Sequence, residues 1–181
     1  MNSTQLAVLA AIAVLVFWLL GGYNRLMALR GAIGRAYAQL DEGLQRRAAT
    51  LTQLLGLLRS PLAAEQLALD ALLAAHKRAG EAAAALRARP ADAAAAGTLS
   101  SAEAALASAL HRVRSLMEHH TALLADAQVA ARQGELHDAQ MRIAFARQLF
   151  NDAVQAYNGA RSQFPTRLLA RLYRLDPAAP I

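Results

Sequence analysis

Metal binding is the first chemistry to test, because the chain carries five histidines and no cysteine. His119 and His120 are adjacent, so on a helix their side chains diverge by ~100° and cannot grip one ion together. His76, His111 and His137 stand apart, and no His-x-x-x-His or His-Glu-x-x-His pair sets two imidazoles on one helical face. These histidines read as solvated or packed side chains, and no metal is expected short of a site assembled from distant segments. The missing cysteine excludes disulfides and thiolate catalysis. No Gly-x-Ser-x-Gly elbow, Walker loop or dinucleotide fingerprint occurs. The carboxylates are dispersed, with no pair placed for acid–base work. No catalytic residue and no cofactor is therefore expected.

The charged side chains offer two other kinds of chemistry. Asp41, Arg46 and Arg47 come early in the chain, and Arg142, Arg147 and Asp152 come late. Across a contact between the first and last long helices, these six form either a ligand site or a set of interhelical salt bridges that fixes register. Arg167, Arg171 and Arg174 alternate with Leu168, Leu169, Leu172 and Tyr173. That spacing suits a short basic amphipathic turn resting on anionic lipid headgroups. Tyr37 and Tyr157 fall at seam spacing and read as core residues with the hydroxyl satisfied at an edge. The net charge of +6 comes almost wholly from arginine, with Lys77 the single lysine. The arginines are scattered rather than massed in a stripe with interleaved aromatics, so nucleic acid is not an expected partner.

The elements that must position these groups begin with an apolar run. Leu6 to Tyr23 reads LAVLAAIAVLVFWLLGGY and carries no charge. Its eighteen residues give ~27 Å of helix, close to the ~30 Å bilayer core. The flank before it, MNSTQ, lacks lysine and arginine, and Gly21-Gly22-Tyr23-Asn24 is not an Ala-x-Ala cleavage pattern. An uncleaved anchor is expected rather than a removed signal peptide. Arg25, Arg30 and Arg35 all follow the span, which favours an outside N-terminus and a cytoplasmic body at the inner (plasma) membrane. Ala7 and Ala11 make a small-xxx-small pair, one route to a homo-oligomer.

Beyond the anchor the apolar residues step by threes and fours: Leu26, Leu29, Ile33, Tyr37, Leu40, Leu44, Leu51, Leu55 and Leu58. This heptad-like seam predicts that the membrane helix continues as one rod to Ser60-Pro61. A second, alanine-rich helix is expected from Leu62 to Arg89. The stretch from Arg89-Pro90 to Gly97-Thr98 reads as a small-residue linker, and Ser100 with Glu103 as a capping box opening the third helix. The fourth helix shows Leu136, Ala139, Ile143, Ala146, Phe150, Val154 and Tyr157 on one face and stops at Phe164-Pro165. Asp176 to Pro180 is expected to end the chain without structure. Travel out, back, out and back nearly cancels at ~1.5 Å per residue, which returns Phe164 to the bilayer surface.

Three stretches carry a family resemblance. Tyr23-Asn24-Arg25-Leu26-Met27-Ala28-Leu29-Arg30 resembles the "YN-x-L-x-x-L-R" start of the LemA family. Gln39-Leu40-Asp41-Glu42-Gly43-Leu44-Gln45-Arg46-Arg47 resembles its "Q-I-D-V-Q-L-K-R-R" run. Arg142 to Asn158, RIAFARQLFNDAVQAYN, followed by Phe164-Pro165, is similar to its "R-I-A-x-A-R-x-x-Y-N-D-A-V-x-x-Y-N" block and "F-P" close. There are departures. Leu51-Thr52-Gln53-Leu54-Leu55 stands where the family has "L-I-P-N-L-V", and His120 to Ala125 stands where it has a "Y-P-x-L-K-A" loop. That alignment would start the fourth helix near Asp126, with Gly134 inside it. The resemblance implies a single-pass membrane protein with a small external N-terminus and a long-helix bundle, and no particular reaction.

The combined expectation is an all-α chain. Residues 1–5 form an external N-terminus and 6–23 a transmembrane helix. Residues 24–165 form an antiparallel four-helix bundle, and 166–181 a basic tail with a disordered end. The expected role is non-catalytic interaction or scaffolding, with the lipid bilayer and other membrane or cytoplasmic proteins as partners. A signalling or stress module, and an enzyme or metal protein with an interhelical site, are the alternatives.

Overall fold

The computed structural model describes residues 3–181, apart from the side chains of residues 3, 4, 6–8, 11 and 124. The Ala7–Ala11 pair therefore lies outside the described side chains. Helix α1 runs unbroken from Ser3 to Leu58, over 56 residues and ~84 Å. The apolar first stretch and the first body helix are thus one rod. It ends just ahead of Ser60-Pro61, where Leu62 N–H donates to the Leu58 carbonyl at 3.0 Å. A single 3₁₀ turn, Ala63–Glu65, leads into α2, Gln66–Ala88. Then follow α3, Ala93–Glu118, a one-turn α4, Thr121–Leu124, α5, Ala127–Ser162, and α6, Thr166–Leu172. Among the described residues there is no strand.

Aspartates open two of the long helices. Asp126 caps α5 by accepting from Gln128 N at 2.7 Å and Val129 N at 3.3 Å, and Gly134 lies inside the helix as expected. Asp92 caps α3 in the same way, accepting from Ala94 N at 2.9 Å and Ala95 N at 3.0 Å. Those amide donors, above all Ala95 N, with Arg89 nearby, hold its carboxyl below the usual range. This corrects the expected start of the third helix. The supposed linker up to Thr98 is helical, because a good N-cap follows Pro90 and four alanines follow the cap. Ser100 and Glu103 sit inside α3, so Glu103 caps nothing and is free for another partner.

The four long helices alternate in direction. Along α1 and α5, Trp18 meets Phe164, Tyr37 meets Phe150, and Gln53 meets Arg132, which is antiparallel. The most extensive contacts are between α1 and α5 and between α2 and α3. Gly43 permits the first of these, since a Cβ there would stand 3.0 Å from Ile143 Cγ1. Among the described residues, no Cα of α3 comes within 8 Å of α1 or α5. The assembly is therefore two close helix pairs leaning together rather than an evenly packed square.

The buried side chains fall into two clusters. A proximal cluster, next to the apolar start of α1, holds Leu26, Ile33, Tyr37, Leu40, Leu44, Leu86, Leu99, Ile143, Phe150, Val154 and Tyr157, together with Leu169 and Leu175. A distal one holds Leu51, Leu54, Leu58, Leu72, Leu106, Val113, Met117, Val129 and Leu136. The end of the chain is corrected too. Residues 175–181 have no helix, yet Leu175 and Ala178 are buried. Asn158 Nδ2 donates to Ala178 O at 2.8 Å and its Oδ1 accepts from Ala178 N at 3.1 Å; Asn151 makes the same pair of bonds with Ile181, each at 3.0 Å. Two amide side chains on α5 act as a strand edge for this strap, which periodicity in the tail itself does not reveal.

Candidate interhelical site and N-terminal collar

Between the two apolar clusters lies a charged layer. Arg47 follows Leu44 on α1 and Glu103 follows Leu99 on α3, each one helical turn past the proximal cluster, while Arg147 stands level with that cluster on the antiparallel α5, between Ala146 and Phe150. Arg47 Nη1 and Nη2 donate to the two Glu103 oxygens at 2.6 and 2.5 Å, and both side chains are about nine-tenths buried. Arg147 Nη2 stands 3.9 Å from Glu103 Oε2, and its buried Nε has no protein partner. These groups border a cavity of about 350 Å³ whose other walls include Leu40, Leu110, Ser100 and Gln140. The layer carries two cations and one anion. It can hold register and attract negative charge, and its one carboxylate, Glu103, is held by Arg47.

A second ion pair, half-exposed on its Arg87 side, lies one step closer to the N-terminal end of α1. Arg87 Nε and Nη2 donate to Asp41 Oδ2 and Oδ1 at 2.8 and 2.7 Å, and Gln45 Nε2 donates to Oδ2 at 2.7 Å. One turn away, the Tyr37 hydroxyl donates to Ala83 O at 2.6 Å. Burial, and then the Asp41 carboxylate, push that hydroxyl far above the usual tyrosine range. The Tyr157 hydroxyl donates to Asp176 O at 3.1 Å and is raised chiefly by burial. Both tyrosines are core residues with satisfied hydroxyls.

The six residues expected to form one cluster do not. Arg47 and Arg147 are brought together, by Glu103. Asp41 turns to α2. Arg46 pairs with Glu42 on its own helix at 2.5 Å, exposed. Arg142 lines an open groove with Arg46, Glu135 and Asp138, and Asp152 accepts from Gln148 at 2.8 Å. The physical cause is helical phase. Arg46 and Arg47 diverge by ~100°, and Gly43 and Ile143 occupy the direct α1–α5 contact. Glu103 and Arg87 went unrecognised in the sequence. Arg87 was discoverable, because an antiparallel hairpin turning near residue 64 sets position 87 opposite position 41.

Histidines are scattered over the helices. His76 Nε2 is 3.5 Å from Thr52 Oγ1, and His120 Nε2 is 3.5 Å from Glu65 Oε1. Among the described residues no three metal-binding side chains converge. Sequence reasoning also missed an exposed apolar row on α5. Met141, Phe145 and Leu149 follow one another at four-residue spacing, with Phe145 68% exposed. Its signal was present as a second apolar row beside the Ile143–Ala146–Phe150 seam.

At the other end, α6 packs against the last turn of the apolar part of α1. Leu169 Cδ1 and Thr166 Cγ2 would lie 3.1 and 3.4 Å from a Cβ at Gly22, so any larger residue there would make these side chains give way by a few tenths of an ångström. Trp18 and Phe164 stack at 5.2 Å between ring centroids, and Tyr23 and Tyr173 at 5.0 Å. Thr166 Oγ1 donates to the Ala160 and Gln163 carbonyls. Arg167 and Arg171 are exposed on α6. Arg174 is exposed beyond its end, in the left-handed region at φ 50°, and Leu175 N donates back to Ala170 O at 2.9 Å. Arg174 also borders a cavity with Arg30, Arg89, Asp92 and Asp176, so its surroundings differ from those of the other two arginines.

The family model described as LemA family matches residues 36–180. This chain belongs to the LemA family. No curated protein matches it. The LemA match takes in the Asp41–Arg47 run, Glu103, the α5 row and seam, α6 and most of the strap. The apolar start of α1 and the Tyr23–Arg30 stretch lie ahead of it.

Proposed function

We propose that this LemA-family protein is a membrane-anchored, non-catalytic interaction or scaffold protein, with its N-terminus outside and its helical body cytoplasmic. The observation that carries the interaction reading is the exposed row Met141, Phe145 and Leu149, at mid-length of a body whose other exposed faces are mostly polar or alanine. A soluble face of this kind gains by being covered. The anchor reading is supported by one helix near the N-terminus long and apolar enough to cross a bilayer, with only 6% of its most apolar window buried. The orientation is supported by the arginines after the span. Partners are other membrane or cytoplasmic proteins, or a second copy of the chain.

A photo-crosslinking residue at position 145 tests the role in native membranes, with position 128 at the exposed start of α5 as the control. Adducts specific to position 145, identified by mass spectrometry, are expected. Identical adduct patterns at the two positions would reject the interaction face. Protease digestion of sealed vesicles tests the topology: a body cut only from the periplasmic side would reverse it, and a mature chain starting after Tyr23 would remove the anchor.

A signalling role is the second reading, favoured by the partnerless Arg147 Nε beside the 350 Å³ cavity. A bound anion there would bridge α1, α3 and α5, and α1 runs directly into the anchor.

A further inference from the structure

We propose that α6, with Phe164 before it, is an interfacial foot whose outer face is immersed in the bilayer surface and sets the level at which α1 leaves the hydrocarbon. The inference rests on α1 being embedded in the membrane. The helix divides into two faces of opposite use. Thr166, Leu169 and Ala170 are buried against the body and α1. Phe164, Leu168 and Leu172 repeat at four-residue spacing on the other side and are 69%, 51% and 73% exposed. Among the described residues this outer row stays exposed, with Phe164 touched at its edge by Trp18, although the inner row is seated.

Three observations select a bilayer as the occupant. The first is continuity. Phe164 stacks on Trp18, and Trp18 is flanked on α1 by the exposed Phe17, so the foot begins where the lipid-facing surface of α1 ends. The second is the kind of residue gathered at this level. Trp18, Tyr23 and Tyr173 meet here, and tryptophan and tyrosine are the side chains that settle at headgroup depth. The third is charge. Arg167 and Arg171 repeat at four-residue spacing beside the apolar row, and Arg25 emerges from α1 just past the same level. An arginine stem lies along apolar surface while its guanidinium reaches phosphate. A protein partner would satisfy the apolar row alone, and it would have to lie where the anchor already places lipid. Because Gly22 lets α6 seat within van der Waals contact of α1, the foot is rigidly linked to the rod.

The chain has no cysteine, so nitroxide labels can be placed singly on the full-length protein in vesicles. Val14→Cys reports the span, Leu168→Cys and Leu172→Cys the foot, and Asp152→Cys an aqueous site. Collision with oxygen relative to a water-soluble nickel chelate is expected to be several-fold higher at 168 and 172 than at 152, approaching the value at 14. Lipid-like values at 14 with water-like values at 168 and 172 would overturn the foot and leave the anchor standing. Water-like values at 14 would overturn both. Arg167→Gln with Arg171→Gln, in vesicles containing anionic lipid, is expected to move the 172 label toward the aqueous value. An unchanged ratio would overturn the role assigned to the arginines. Circular dichroism on each variant confirms that the helices are retained.

Discussion

The proximal and distal halves of the body are built differently from the same helices. The proximal cluster contains Tyr37, Phe150 and Tyr157, and its polar atoms make directional bonds: Tyr37 to Ala83, Asp41 to Arg87, Asn158 to the strap. The distal cluster is leucine, alanine, valine and Met117, with no aromatic ring among its buried residues. The Arg47–Glu103 pair, which Arg147 approaches from α5, is the border. Apolar area alone stabilises association but tolerates sliding, whereas buried hydrogen bonds and ion pairs accept one register. The half next to the apolar start of α1 is thus the half in which helix positions are specified, and the far half follows.

The largest expected effect is at the centre of the proximal half. Phe150→Ala should lower unfolding stability by about 4 kcal/mol in denaturant titrations of the full chain, and Leu72→Ala in the distal half by about 3 kcal/mol. A larger loss at Leu72 would break the comparison. Next comes the border. Glu103→Ala strands Arg47 and should cost about 3 kcal/mol, yet Arg47→Met combined with Glu103→Met should cost less than that single change. If the layer sets register, the double variant keeps its helix content but loses a single set of α3 resonances. A unique, unchanged spectrum would remove that role.

Asn158→Ala should cost about 1–2 kcal/mol for its two bonds to the strap. Hydrogen exchange is expected to rise at residues 175–181 and stay unchanged in the distal helices; an equal rise in both halves would contradict the division. Glycines give a smaller contrast. Gly43→Ala must displace Ile143 and should destabilise by about 1 kcal/mol, whereas Gly134→Ala meets open space and should stabilise by roughly 0.5–1 kcal/mol. The smallest effect concerns pH. Burial, and then Arg47, lower the His76 pKa from 6.5. The unfolded chain therefore takes up that proton first as pH falls, so His76 contributes stability above its unfolded pKa that is lost below it. His76→Gln should flatten the stability–pH slope in that range; an unchanged slope would show that the ring is not held neutral.

The legible part of this protein was whatever repeats along one helix. The seam Leu26 to Leu58, the seam Leu136 to Tyr157 and the stop at Ser60-Pro61 could be read from spacing and proline chemistry, while the α5 start at Asp126 came only through the family resemblance. Misreadings came where a local signal had a stronger competitor. Ser100 and Glu103 make a good capping box, but Asp92 after Pro90 caps eight residues earlier and the alanines between carry the helix through. The final proline-containing segment has no periodicity, so nothing local marked it as docked by Asn151 and Asn158.

Sequence by itself determined the all-helical class, the apolar first stretch and its continuation into a rod, and the faces that become core. Each of these depends on the chemistry of one segment and its own 3.6-residue period. Tertiary structure decided which charges meet. Partner choice depends on the rotation and register of two helices at once, and a shift of one residue turns a side chain by ~100°. Arg47 therefore finds Glu103 while its neighbour Arg46 faces water.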